Sequence, residues 1–141
     1  MNNLKFRAYI KSIQKIADVL EIDFKNKTAI LDLTTNKVYP ETSYWWKEIK
    51  LAFSQVVIMQ STGLKDKYGV EIFEGDILTD EGSFENDYWD YATIEFDEID
   101  YTYYLHWKNE EMCENITECK KYVVAGNIYE NKELLENEIY L

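Results

Sequence analysis

The sequence predicts a mainly β protein: a small SH3-like barrel or paired antiparallel sheets in the C-terminal half, an N-terminal β-hairpin region, and a short C-terminal helix. Three observations predict it. Apolar and polar residues alternate with a period of two in several short runs. The runs are separated at even spacing by clusters of Asn, Asp, Gly and Ser. Helix start signals are few, Asn131 near the C-terminus and Ser12 as a plausible N-cap.

Phe6 to Ile10 reads as a first short strand. Ser12 to Leu20 is ambiguous. Ile13, Ile16, Ala17 and Leu20 fall at helical spacing, whereas Leu20, Ile22 and Phe24 alternate with charges as a strand would. Ala29, Leu31 and Leu33 alternate again beyond an Asn-containing turn, which makes a β-hairpin. Residues 38–52 are irregular and aromatic, and a loop or short helix carrying Tyr39, Tyr44, Trp45 and Trp46 is expected there. Phe53 to Gln60 reads as a central strand ending at Ser61-Thr62-Gly63. A polar turn closed by Gly69, a brief extended piece to Phe73, a turn at Glu74-Gly75-Asp76 and a strand over Ile77 to Thr79 follow. Asp80 to Asp90 reads as an exposed acidic loop. Ala92, Ile94 and Phe96, then Tyr101, Tyr103, Leu105 and Trp107, form a second hairpin about a turn at Asp97 to Asp100. Lys108 to Cys119 reads as polar loop, Tyr122 to Ala125 as a strand, and Lys132 to Asn137 as a helix capped by Asn131. The boundaries that follow are an N-terminal β-hairpin region, 1–60, and an acidic barrel-like region, 61–141, or one continuous domain over 1–141.

With 141 residues, 46% of them hydrophobic, the chain can bury a core, and its 12 Tyr, 6 Phe and 4 Trp make it rich in rings. No run reaches the roughly 18 apolar residues of a membrane span. Lys5 and Arg7 are not followed by the apolar stretch of a signal peptide, so a cytoplasmic protein with no membrane partner is expected. The 15 bases and 27 acids give a net charge of −12. They are unevenly placed: residues 1–70 carry +4 and residues 71–141 carry −16, with Lys108 the single base from Glu71 to Glu118. So acidic a half repels a phosphate backbone, and direct nucleic-acid binding by it is not expected. Cys113 and Cys119 are six positions apart, which is not a metal-knuckle spacing, and two reduced thiols are expected rather than a metal site with His106. The acceptor patterns at Asn26 and Asn115 have no secretory context. His106 is expected as a half-exposed strand histidine beside Tyr104, opposite in face to Leu105 and Trp107.

The run from Ile58 to Leu78, IMQSTGLKDKYGVEIFEGDIL, resembles the hallmark segment of the YopX family of phage and prophage proteins. Lys5-Phe6-Arg7-Ala8 resembles that family's opening, Ile22-Asp23-Phe24 its next strand, and Val124 to Asn131, with its GNIYEN string, its closing motif. The resemblance covers the whole chain in register; Tyr44-Trp45-Trp46 and Asp80 to Asp90 lie where members vary. It implies a phage or prophage source and a mostly β fold, and no activity.

Within the hallmark segment, Gly63, Gly69 and Gly75 lie six apart and punctuate a folded connector, while Asp66 and Asp76 suit Asx-turns. On this reading Gly69→Val costs about 1 kcal/mol or more and Asp66→Asn is nearly silent. The alternative is that Asp66, Glu74 and Asp76 converge as an acid–base pair or as cation ligands. No GxGxxG, Walker A, HExxH or nucleophile-elbow string is present, so no catalytic residue, cofactor or metal is assigned and an enzyme is not expected. The function class expected is an accessory protein that binds a protein partner, since Tyr and Trp anchor interfaces. An alternative is an acidic decoy of DNA presented by Glu81, Glu85, Asp87, Asp90, Glu95, Asp97, Glu98 and Asp100, of which Glu95 and Asp97 share a strand face at phosphate-like spacing. Homo-oligomerisation through strand edges is a further expectation.

Overall fold

The computed structural model describes residues 4–34, 47–81, 90–108 and 112–136. The chain divides into two compact units at Gln60/Ser61. Strands dominate both, and among the described residues neither sheet closes on itself, so the architecture is open antiparallel sheets and not the barrel.

The first unit is built from β1 (Phe6–Ile10), β2 (Lys15–Asp23), β3 (Thr28–Asp32), β4 (Glu48–Ala52) and the start of β5 (Val56–Lys65). Their order is β4-β3-β2-β1-β5, every neighbour antiparallel. Ala8, Ile10, Ala17, Ala29, Leu31, Leu33 and Val56 form its core. The ambiguity over residues 12–20 resolves into a turn up to Gln14 and strand from Lys15, and its cause is visible. The β2–β3 ladder slips between Val19 and Glu21, leaving Leu20 half-exposed. Val19 stands opposite Leu31 and Ile22 opposite Ala29, so the core-facing set runs 17, 19, 22. A bulge shifts the period-two pattern by one residue and imitates helical spacing.

The loop or short helix expected over 38–52 is corrected at its end. Glu48–Ala52 is a strand paired with β3 along its whole length, Ile49 opposite Leu31 and Leu51 opposite Ala29. Tyr39, Tyr44, Trp45 and Trp46 lie outside the described residues. A 3-10 turn, Phe53–Gln55, then leads into β5, and the Ala52 N–H donates to Gln55 Oε1 at 2.9 Å. β5 does not stop at Ser61-Thr62-Gly63. It runs on to Lys65 and pairs there with β6 (Glu71–Phe73), across an irregularity between Ser61 and Lys65. Side chains fill the broken ladder: Thr62 Oγ1 donates to the Ile72 carbonyl at 2.7 Å, and Ser61 Oγ accepts from the Gly63 N–H at 3.0 Å.

In the second unit β7 (Asp76–Thr79), β8 (Tyr91–Asp97), β9 (Thr102–Trp107), β10 (Met112–Asn115) and β11 (Val123–Asn127) make a sheet of order β10-β9-β8-β7-β11. Its core is Ile72, Leu78, Ala92, Ile94, Leu105, Trp107 and Cys119. The polar loop expected over Lys108 to Cys119 contains β10 and a 3-10 helix, Ile116–Lys121, that carries Cys119 into that core. Asn115 caps this helix, accepting from the Thr117 N–H at 2.9 Å, which explains the Asn-Ile-Thr string structurally. The closing helix α1 spans Lys132–Glu136.

Three hairpins share one turn form. The loops 11–14, 24–27 and 98–101 each hold four residues, and the last of each, Gln14, Lys27 and Tyr101, has φ of +57°, +56° and +54°. Asp23 and Asp97, just before two of them, accept loop N–H groups, from Asn26 at 3.0 Å and from Ile99 at 2.8 Å.

Candidate functional site

The hallmark segment gathers around Asp66, which follows β5 and is 5% exposed. Its Oδ1 accepts from the N–H groups of Tyr68 and Val70, both at 2.8 Å. Its Oδ2 accepts from the N–H of Val124 at 2.9 Å. The loop is closed by backbone bonds from Asp66 N to Val70 O and from Gly69 N to Asp66 O. Gly69 sits at φ +85°, where a β-carbon is strained. A side chain with one methylene and two acceptor oxygens can reach three donors from this position.

Asp76, 1% exposed, serves the next turn: its Oδ2 accepts from the Phe73 N–H at 2.9 Å. Gly75, at φ +86°, is bonded on both sides, its N–H to Ile94 O and its carbonyl from the Ile128 N–H. Glu74 is one of two influences on the Tyr103 phenol, whose pKa is raised by burial and then by that carboxylate. Asp66, Glu74 and Asp76 therefore serve different local partners, and no group of three or more His, Cys, Asp or Glu among the described residues could hold a metal ion.

The closing string is a second built turn. Asn127 Oδ1 accepts from the Tyr129 and Glu130 N–H groups at 3.0 and 2.8 Å, and its Nδ2 donates to Glu130 Oε1 at 2.9 Å. Asn131 Oδ1 accepts from the Asn127 N–H at 3.0 Å, so its side chain reaches back to β11. A β-carbon on Gly126 would collide with that Asn131 amide.

Three of the acids proposed as a row, Glu81, Glu95 and Asp97, are engaged in local tasks. Glu81 accepts from Lys67 Nζ at 3.0 Å and from the Tyr68 hydroxyl at 2.7 and 2.8 Å, and these bonds, the tyrosine's first, hold its carboxyl below the usual range. Glu95 accepts from Thr93 Oγ1 at 2.6 Å and the Tyr104 hydroxyl at 2.9 Å, and pairs with His106 Nδ1 at 3.0 Å. Burial pushes the Glu95 carboxyl up, but the bonds from Thr93, His106 and Tyr104 outweigh it and hold it below its ordinary value. In return the Tyr104 phenol is pushed up to about 12, mainly by its bond to Glu95. Asp97 caps the β8–β9 turn. Glu98 and Asp100 are exposed in that turn, and the Asp90 carbonyl accepts from Thr79 Oγ1 at 3.1 Å. Glu85 and Asp87 lie outside the described residues.

Histidine 106 is half-exposed beside Tyr104, with Leu105 and Trp107 buried on the other face. Cys113 stands opposite it on β10 and is exposed, whereas Cys119 is buried against the Lys65 carbonyl, and burial pushes its thiol up. Sequence reasoning missed Glu114, which accepts from Trp107 Nε1 at 2.9 Å and from the Tyr122 hydroxyl at 2.8 Å while the two rings meet edge to face at 4.8 Å. It also missed the β8–β9 tip. Ile99 is 86% exposed and Tyr101 80%, higher than any other large apolar side chain described. The signal was present, since bulky apolar residues occupy a turn that favours Gly, Asn and Asp.

Comparisons with known proteins give the family and a structure of similar fold. The profile of the family described as YopX protein matches residues 5–136, and the chain belongs to the YopX family. Among solved structures it is similar to protein EF1440 from Enterococcus faecalis, known from a crystal structure, with 29% identity and a TM-score of 0.62 over 96% of this chain and 99% of that one. No curated protein matches. No helix among the described residues is long and apolar enough to cross a membrane.

Proposed function

We propose that this YopX-family chain is a phage-associated protein that works by binding another protein, in the cytoplasm of a bacterial host, and carries out no chemistry of its own. The observation that carries the reading is a division of labour in the second unit. Residues that most resemble a site, Asp66, Asp76 and Asn127, are spent on backbone N–H groups, while Ile99 and Tyr101 stand in water. Asp66 has both oxygens engaged by backbone N–H groups, which holds the carboxylate to the fold, and an exposed apolar pair is what an interface uses.

The local engagement of Glu81, Glu95 and Asp97 supports protein binding over the DNA-decoy reading, because a phosphate mimic needs its carboxylates outward and unspent. The test is affinity capture from host lysate with the tagged full chain at low ionic strength. A stoichiometric protein partner that salt releases is expected. Repeated recovery of the chain alone would overturn the reading.

A further inference from the structure

We infer that the β8–β9 tip is the contact surface for a basic protein, with Ile99 and Tyr101 as apolar anchors and Glu98 and Asp100 as a charged rim; this rests on the protein-binding reading above. The local fold does not ask for a tyrosine at position 101. The left-handed conformation there favours glycine or asparagine. In the two sister loops the same position holds Gln14 and Lys27, long polar side chains at home in water. At the tip it holds a large ring, 80% exposed, beside Ile99 at 86%.

The ring is braced from behind. Phe96 meets it edge to face at 6.5 Å and meets Tyr103 in the same manner at 5.1 Å, so an aromatic surface runs down from the tip. A braced ring loses little freedom on binding. Alongside lies an open concavity of about 740 Å³ whose walls include Asp97, Glu98, Asp100, Tyr103 and Tyr104 and, among the described residues, no base. Carboxylates interleaved with phenol rings suit an arginine or lysine side chain. The occupant that fits is a protein surface with basic side chains around an apolar socket. Nucleic acid is repelled by the same charges, and a second copy of this chain, itself at −12, is disfavoured.

The test uses the full chain and a display library of random short peptides as probe, with Tyr101→Asn beside the parent. Asparagine suits the left-handed position, so the variant is expected to melt at the parent's temperature or above it. Enriched peptides are expected to combine Arg or Lys with aromatic or aliphatic residues. Their binding should weaken with salt and fall about tenfold or more in Tyr101→Asn, and Glu98→Gln with Asp100→Asn should flatten the salt dependence. No enrichment, enrichment of uncharged or acidic peptides, or equal binding by Tyr101→Asn would overturn the assignment. A self-association in light scattering that Tyr101→Asn abolishes would replace the basic partner with a second copy and overturn it too. A partner captured from lysate equally well by Tyr101→Asn would sink the tip assignment and leave the protein-binding reading standing, whereas no captured partner sinks that reading itself.

Discussion

Asp66 Oδ2 accepts a 2.9 Å hydrogen bond from the backbone N–H of Val124, 58 residues further along the chain. Two more bonds run in parallel, from the Lys67 N–H to the Tyr122 carbonyl and from the Ile128 N–H to the Gly75 carbonyl. Two of the strings that carry the family resemblance, the hallmark segment and the closing motif, are thus hydrogen-bonded to each other. The hallmark segment supplies a buried carboxylate and a glycine carbonyl; the closing motif supplies the strand and turn that dock on them. A pair of motifs far apart in sequence becomes one assembly of the second unit.

Gly69 tests the backbone side of that assembly. A β-carbon there meets nothing within 4 Å, yet φ is +85°. Any loss on substitution is therefore conformational strain and not a clash. Gly69→Val should lose about 1–2 kcal/mol in urea denaturation, and Gly69→Asn clearly less, since Asn tolerates the left-handed region. Equal losses for the two would show that strain is not the cause.

The closing turn predicts a coupled pair. Gly126→Ala should destabilise by about 1 kcal/mol or more, because its methyl displaces the Asn131 amide from the Asn127 N–H. Asn131→Gly removes the same hydrogen bond and also the obstruction. The double variant should be little less stable than Asn131→Gly alone. Additive losses in the double-mutant cycle would contradict the contact.

On the outer face of β8 and β9, Glu95 and Tyr104 should titrate as partners. The Tyr104 phenol lies at about 12, above its ordinary 10.0, so its contribution is fully present below pH 10 and fades as the pH rises toward 12. The Glu95 carboxyl lies below its ordinary 4.5, so its contribution is present above that value and is lost as the pH falls through the lowered one. An NMR titration of the Tyr104 ring should return toward 10 in Glu95→Gln. A phenol that stays near 12 without the Glu95 charge would assign the shift to burial.

Most strands were legible because their alternation is regular: Ala92, Ile94, Leu105 and Trp107 mark β8 and β9 by sequence alone and are buried as a set. Reading faltered where one residue breaks the period. The bulge at Leu20 disguised β2, and Gly63 read as a terminator although β5 continues to Lys65 through an irregular stretch of its ladder. β4 went unseen because Glu48 and Lys50 on its outer face masked Ile49 and Leu51. The turn-forming role of Asp66 could be read from its neighbours in sequence. Its bond to Val124 could not, because nothing local signals a partner 58 residues away. That bond changes what Asp66→Asn is expected to do: an amide has one acceptor oxygen for three N–H donors.

The most direct measurement is therefore the unfolding free energy of Asp66→Asn. If the hallmark segment is scaffolding, the variant leaves a buried N–H facing an amide NH₂ and should lose about 1–3 kcal/mol, with faster hydrogen exchange at Val124. If the carboxylate were instead held ready for a ligand or a reaction, removing its charge would leave the fold as stable as the parent or more so, and that result would contradict the account.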